Sequence, residues 1–222
     1  AGGIWKSTDD GANWKPLSDN LPQIGVSGIA IDPTDSNIIC IATGDDDAGD
    51  SYSVGVMKST DGGQTWNPTG LSYLWYNGKG TSEIFLDPTN SNHIWVASTD
   101  GLQKSEDGGL TWEIKQDGNI VDFRLHPNYS DTSIIYAVGY KNNNSKFYRS
   151  TDKGETFSEI SSIPSNSNRI VLETTPAAVD NVYVLTAYDN GDGTYEGRNS
   201  FQGVYVSNDA GLNFVKTEES DD

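Results

Sequence analysis

The chain has 222 residues, enough for one sizeable domain, and its 32 Asp and Glu against 14 Lys and Arg give a formal net charge of −18. Such an acidic chain excludes nucleic acid and an anionic membrane surface as partners, because both require a basic face. The single cysteine, Cys40, excludes an internal disulfide, and no apolar run approaches the length of a membrane-spanning helix.

Taken in order, Ala1-Gly2-Gly3 has neither a basic start nor an apolar core, so any targeting segment is expected to lie outside this chain. A short run at 2–6 then leads into Ser7-Thr8-Asp9-Asp10-Gly11-Ala12-Asn13-Trp14. The pattern Ser, any, Asp, any, Gly, two more residues, then Trp or Phe returns at 59–66, 105–112, 150–157 and 207–214. Each copy predicts a hairpin turn. Asp9, Asp61, Asp107, Asp152 and Asp209 stand where a carboxylate accepts hydrogen bonds from the backbone N–H groups that follow it. The glycine supplies a conformation that side chains disfavour, and the aromatic residue begins the return strand and covers the turn from beneath.

The box serines lie 52, 46, 45 and 57 residues apart, a period that fits propeller blades or a related β array. Within each interval an inner strand is expected at 27–31, 82–86, 121–125 and 169–173, closed by Pro33, Pro88, Pro127 or Pro176. Second strands are expected at 38–43, 93–98, 133–138 and 181–186, the first of them burying the Cys40 thiol. Third strands enter the boxes and fourth strands leave them; no segment shows the periodicity of an amphipathic helix. The expected fold is therefore all-β, with four-stranded antiparallel blades. It divides into a half unit at 1–18, full units at about 26–70, 81–116, 120–161 and 168–217, and an acidic end at 218–222. About four and a half blades leave sheet edges and faces open, so the chain is expected to be part of a larger propeller. The remainder of its own propeller, or a neighbouring chain, would cover them.

Loops at the strand ends opposite the boxes carry the candidate sites. In the link 44–52, Asp45, Asp46, Asp47 and Asp50 lie among glycines, and Asp189 and Asp192 occupy a similar setting in 189–196. These carboxylates suit Ca²⁺, the one cofactor the sequence suggests, but neither loop has EF-hand spacing, and a solvated acidic loop is the favoured explanation. Between the second box and the next blade, Tyr73, Trp75 and Tyr76 form an aromatic cluster. It fits stacking on a sugar ring or a peptide, or filling the seam between blades. His93 and His126 are the only histidines and lack metal-ligand spacing.

The repeated segment resembles the Asp-box, or bacterial-neuraminidase repeat, found in sialidases, xyloglucan hydrolases, sortilin-type receptors and a photosystem assembly factor. In those families the box is a structural turn on the face opposite the ligand. The sialidase resemblance ends at the boxes, because Arg124, Arg149, Arg169 and Arg198 are the only arginines and no Arg-Ile-Pro segment occurs. The run from Gly2 to Trp66 resembles the sortilin-like propeller regions of large secreted Bacteroidetes proteins. That resemblance implies export, type IX secretion and surface display. It supports a non-catalytic secreted or cell-surface module that binds a protein or polysaccharide. The alternative is part of a polysaccharide-cleaving glycoside hydrolase of the xyloglucan-hydrolase type, for which Asp46, Asp47 and Glu196 are the candidate carboxylates across a groove.

Overall fold

Residues 2–44, 51–188 and 200–217 are described by the computed structural model. The chain divides into two units, Ala1–Ile114 and Lys115–Asp222. The first begins with a two-stranded antiparallel ribbon of β1 (Trp5–Lys6) and β2 (Lys15–Pro16). Then follow β3 (Val26–Ile31), β4 (Ile39–Thr43), β5 (Gly55–Ser59) and β6 (Asn67–Ser72), hydrogen-bonded in sequence order. A second sheet takes β7 (Thr81–Leu86), β8 (Ile94–Ser98), β9 (Gly101–Ser105) and β10 (Glu113–Asp117), again in sequence order.

In the second unit, β11 (Asn119–Leu125), β12 (Ile135–Lys141), β13 (Asn144–Ser150) and β14 (Ser158–Ile160) make one four-stranded antiparallel sheet. A further one is built from β15 (Arg169–Thr174), β16 (Val182–Tyr188), β17 (Ser200–Ser207) and β18 (Val215–Lys216). Each sheet is a meander in which every strand pairs with its sequence neighbour, and each inner strand ends within two residues of the expected proline.

Strand β4 shows why the sheets stack. All five of its residues are buried, because both of its faces are covered. On one face Cys40 and Ala42 pack with Val56 and Leu71 of their own sheet and with Ile84, Leu86, Ile94 and Val96 of the next. On the other, Ile39 and Ile41 pack with Met57 and with Ile4 beneath the ribbon. Cys40 is a buried free thiol, and burial pushes it up to about 11. The second unit repeats the arrangement with Tyr136, Val138 and Phe147 against Ile170, Leu172, Val182 and Val184.

A second device joins successive sheets inside each unit. The cation just before a box serine reaches a carbonyl in the next box turn. Lys6 Nζ donates to Gly62 O at 3.4 Å, Lys58 Nζ to Gly108 O at 2.9 Å, and Arg149 Nε to Ala210 O at 2.7 Å. The receiving residue always has a positive φ, 71° at Gly62, 72° at Gly108 and 56° at Ala210. Its own N–H is held by the turn between the first two strands, as in Gly62 N to Asn37 O at 3.0 Å.

The sequence shows no amphipathic periodicity, yet two short helical turns occur, a 3-10 turn at Trp75–Asn77 and a four-residue helix at Tyr129–Thr132. Neither is long enough to display a repeat. Each is closed by a left-handed residue, Gly78 (φ 64°) or Ser133 (φ 59°).

Candidate functional site

The two ends of the strands differ in chemistry. At the box end, each serine hydroxyl donates to Oδ1 of its aspartate at 2.7–2.8 Å. The serine Oγ in turn accepts the N–H of the box glycine at 2.8–2.9 Å. The aspartate accepts the backbone N–H of the seventh box residue through Oδ1, and that residue's side chain through Oδ2. At Asp61 these bonds come from Thr65 N at 2.9 Å and Thr65 Oγ1 at 2.6 Å.

These bonds hold the carboxylates anionic. The Thr65 hydroxyl, then the Thr65 N–H and Ser59, lower Asp61 to about 2, and Thr111 does the same for Asp107. Ser207 and then Asn213 bring Asp209 to about 2, while Asn13 lowers Asp9. At Asp152 burial opposes the shift, but the bonds from Thr156 outweigh it and the group still falls to about 2. A carboxylate saturated in this way has neither a proton to give nor a lone pair directed at a substrate. A groove between the first two boxes, lined by Lys6, Asp9, Trp14, Lys15, Asp61 and Gln64, therefore offers carboxylates already in use.

The box aromatics act in three ways. Trp66 Nε1 reaches Leu17 O of the ribbon at 2.8 Å. Trp14 and Trp112 close on their own turns, at Gly11 O (3.0 Å) and Gly109 O (3.1 Å). Phe214 meets Phe147 edge to face with ring centroids 4.8 Å apart.

The opposite end of the first unit carries the aromatic cluster, and its members diverge. Tyr73 is half-buried against the core between the two sheets, and its hydroxyl accepts from Gln103 Nε2 at 3.1 Å. Burial pushes this hydroxyl up, and the nearby Asp100 charge adds to that shift. Tyr73 thus fills the seam. Trp75 and Tyr76 instead project from the 3-10 turn, 71% and 64% exposed, with rings perpendicular and centroids 5.7 Å apart. No side-chain bond caps the turn; Leu74 O accepts Asn77 N at 2.8 Å, and left-handed Gly78 ends it.

Three neighbours absent from the sequence reading complete this surface. Tyr52 is half exposed beside Gly78, and Gln23 Nε2 donates to its carbonyl at 3.0 Å. Lys79 pairs with Asp100 from the turn between β8 and β9. The loop is fixed to both sheets, because Lys79 O accepts Ser53 N at 2.9 Å and Gly80 O accepts Thr99 N at 3.1 Å. The one available signal was the nearly minimal link at Thr99–Gly101, which places a charged residue on a tight turn next to the aromatic loop.

Asp45, Asp46, Asp47, Asp50, Asp189, Asp192 and Glu196 lie outside the described residues. Among the described residues no group of three or more His, Cys, Asp or Glu could hold a metal ion. His126 is buried and serves the turn after β11, its Nδ1 accepting Asn128 N at 3.0 Å. No helix among the described residues is long and apolar enough to cross a membrane.

Residues 57–68 match the family model for the BNR/Asp-box repeat. The chain is 26% identical over 235 residues to Xyloglucanase Xgh74A of Acetivibrio thermocellus, covering 90% of this chain and 27% of that protein. A Xyloglucanase of Paenibacillus sp is 27% identical over 233 residues, with 88% and 22% covered. The chain thus spans about a quarter of the length of the curated relatives it matches. Among solved structures, the Niastella koreensis GH74 enzyme superposes on 97% of this chain and 34% of its own, with TM-score 0.66 and 24% identity. The fold is accordingly that of β-propeller blades.

Proposed function

We propose that this chain is part of an extracellular glycoside hydrolase of the xyloglucan-cleaving type, and that the loop end of its first unit receives the glucan backbone. The observation that carries the reading is the Trp75–Tyr76 surface, two large rings held out from a loop that is itself bound to both sheets. Aromatic faces of this kind stack on the apolar faces of pyranose rings while the ring hydroxyls remain in water. The relatives named as xyloglucanases favour a hydrolase over a non-catalytic scaffold.

Secretion or surface display follows from that reading, and a type IX route and a sortilin-like relationship remain proposals drawn from the sequence resemblance. Asp46, Asp47 and Glu196 are the proposed reacting carboxylates; in the separate calcium reading of the acidic links, Asp45, Asp46, Asp47, Asp50, Asp189 and Asp192 are the proposed ligands. Further blades, of the same polypeptide or of a neighbouring chain, are the proposed partners of the open sheet faces.

Affinity electrophoresis through a xyloglucan gel tests the platform. The chain is expected to be retarded and the Trp75→Ala/Tyr76→Ala double variant to run free; equal mobility of the two overturns the reading. For the chemistry, Asp46→Asn, Asp47→Asn and Glu196→Gln are placed singly in the polypeptide that contains this chain, and xyloglucan hydrolysis is followed. At least one is expected to abolish cleavage, and full activity in all three removes these residues as the reacting pair.

A further inference from the structure

Beside the exposed rings, a charged pair is held in place without being sealed. Lys79 Nζ donates to Asp100 Oδ1, and the two side chains are 36% and 31% exposed. Both backbones are fixed. Asp100 N donates to Ser98 Oγ at 3.2 Å, Gly80 N to Thr99 Oγ1 at 3.2 Å, and Ser53 N to Lys79 O at 2.9 Å. Ser98 Oγ also accepts Gln103 Nε2 at 2.9 Å, and Gln103 holds the Tyr73 hydroxyl, so the pair stands on an ordered polar base. The box network does not use this pair, although Asp100 also interacts with the half-buried Tyr73 hydroxyl at the edge of the core.

We infer that Lys79 and Asp100 form a hydroxyl clamp that selects a neutral hexopyranose chain over a uronate-bearing one. The inference rests on the reading of the aromatic loop as a glucan platform. An ammonium has three donors and no acceptor, and a carboxylate only accepts. Side by side they complement a vicinal diol, in which one hydroxyl donates a hydrogen bond to the carboxylate while its neighbour accepts one from the ammonium. Such charge-assisted bonds are stronger than neutral ones.

The pair also sets selectivity by repulsion. Asp100 neutralises the one cation on this loop, in a chain of net charge −18. A sugar carboxylate arriving here meets a Lys79 ammonium already paired with Asp100, on a chain of net charge −18, whereas a neutral ring meets no such penalty.

Calorimetric titration of the 222-residue chain with a β-1,4-linked glucan hexasaccharide and with an oligogalacturonate of equal length tests this. The chain is expected to bind the glucan and not the uronate. Asp100→Asn is expected to weaken glucan binding by about tenfold, the loss of one charge-assisted partner, and to make uronate binding measurable as Lys79 is released. Lys79→Met is expected to weaken glucan binding similarly while uronate stays excluded. Unchanged glucan affinity in both variants, or uronate binding by the unaltered chain, overturns the clamp. Trp75→Ala separates the two levels. If it abolishes glucan binding while both clamp variants bind normally, the platform stands and the clamp falls. If neither it nor the unaltered chain binds glucan, both fall.

Discussion

Each sheet of the first unit has one end that repeats and one that does not. At the box end, Ser59 and Ser105 make the same bonds to Asp61 and Asp107 at the same 2.8 Å, and both aspartates also accept from the threonine four residues on. At the other end, the sheets carry a long acidic link in one case and the two-residue turn Thr99–Asp100 in the other, and they expose rings and a charged pair. The contrast teaches that the repeated turns close on themselves, whereas the irregular loops leave rings and a charged pair at the surface, where the proposed glucan site lies.

Acid is the largest expected way to break the box end, because it acts on several boxes at once. Asp61, Asp107, Asp152 and Asp209 are held near 2, below the ordinary 3.8. A folded-state value below the unfolded one adds stability that is complete above the unfolded value and is lost as pH falls through the folded one. Thermal midpoints are therefore expected to hold steady down to about pH 4 and to drop steeply towards pH 2. A flat profile across that window would remove the boxes as stabilising elements.

Next in size is Ser59→Ala. Its hydroxyl is fully buried, and its loss strands Gly63 N–H, which it accepts at 2.8 Å. Urea unfolding should show a loss of about 1–3 kcal/mol, with glucan affinity unchanged. An equal loss of affinity would blur the division between the two ends. Trp75→Ala is the mirror experiment. Affinity is expected to fall at least about tenfold while stability moves within about 0.5 kcal/mol, since the ring is exposed. The smallest effect belongs to Lys58→Met, which removes the 2.9 Å bond to Gly108 O and should cost about 1 kcal/mol by the same urea measurement. No change there would mean that the apolar core and the other inter-sheet hydrogen bonds, such as Ser27 Oγ to Thr81 O at 2.6 Å, join the two sheets without it.

Much of the fold was legible in the chain. The box spacing located the third and fourth strands, and Pro33, Pro88, Pro127 and Pro176 marked where the first strands stop, because both signals act locally. The site was legible only in part. Tyr73 and Tyr76 lie three residues apart in one aromatic run, yet one fills the seam and the other faces solvent. The 3-10 turn that carries Trp75 and Tyr76 turns them away from Tyr73, and a single turn leaves no periodicity to read. Lys79 and Asp100 meet only because adjacent strands bring two loops together, a contact that neither loop encodes alone.

The most direct test of the account is a crystal structure of the chain with a xyloglucan oligosaccharide. The account predicts a pyranose ring stacked on Trp75 or Tyr76, with its hydroxyls towards Lys79 and Asp100. An oligosaccharide bound instead in the groove between the first two box turns, with the aromatic loop bare, would contradict it.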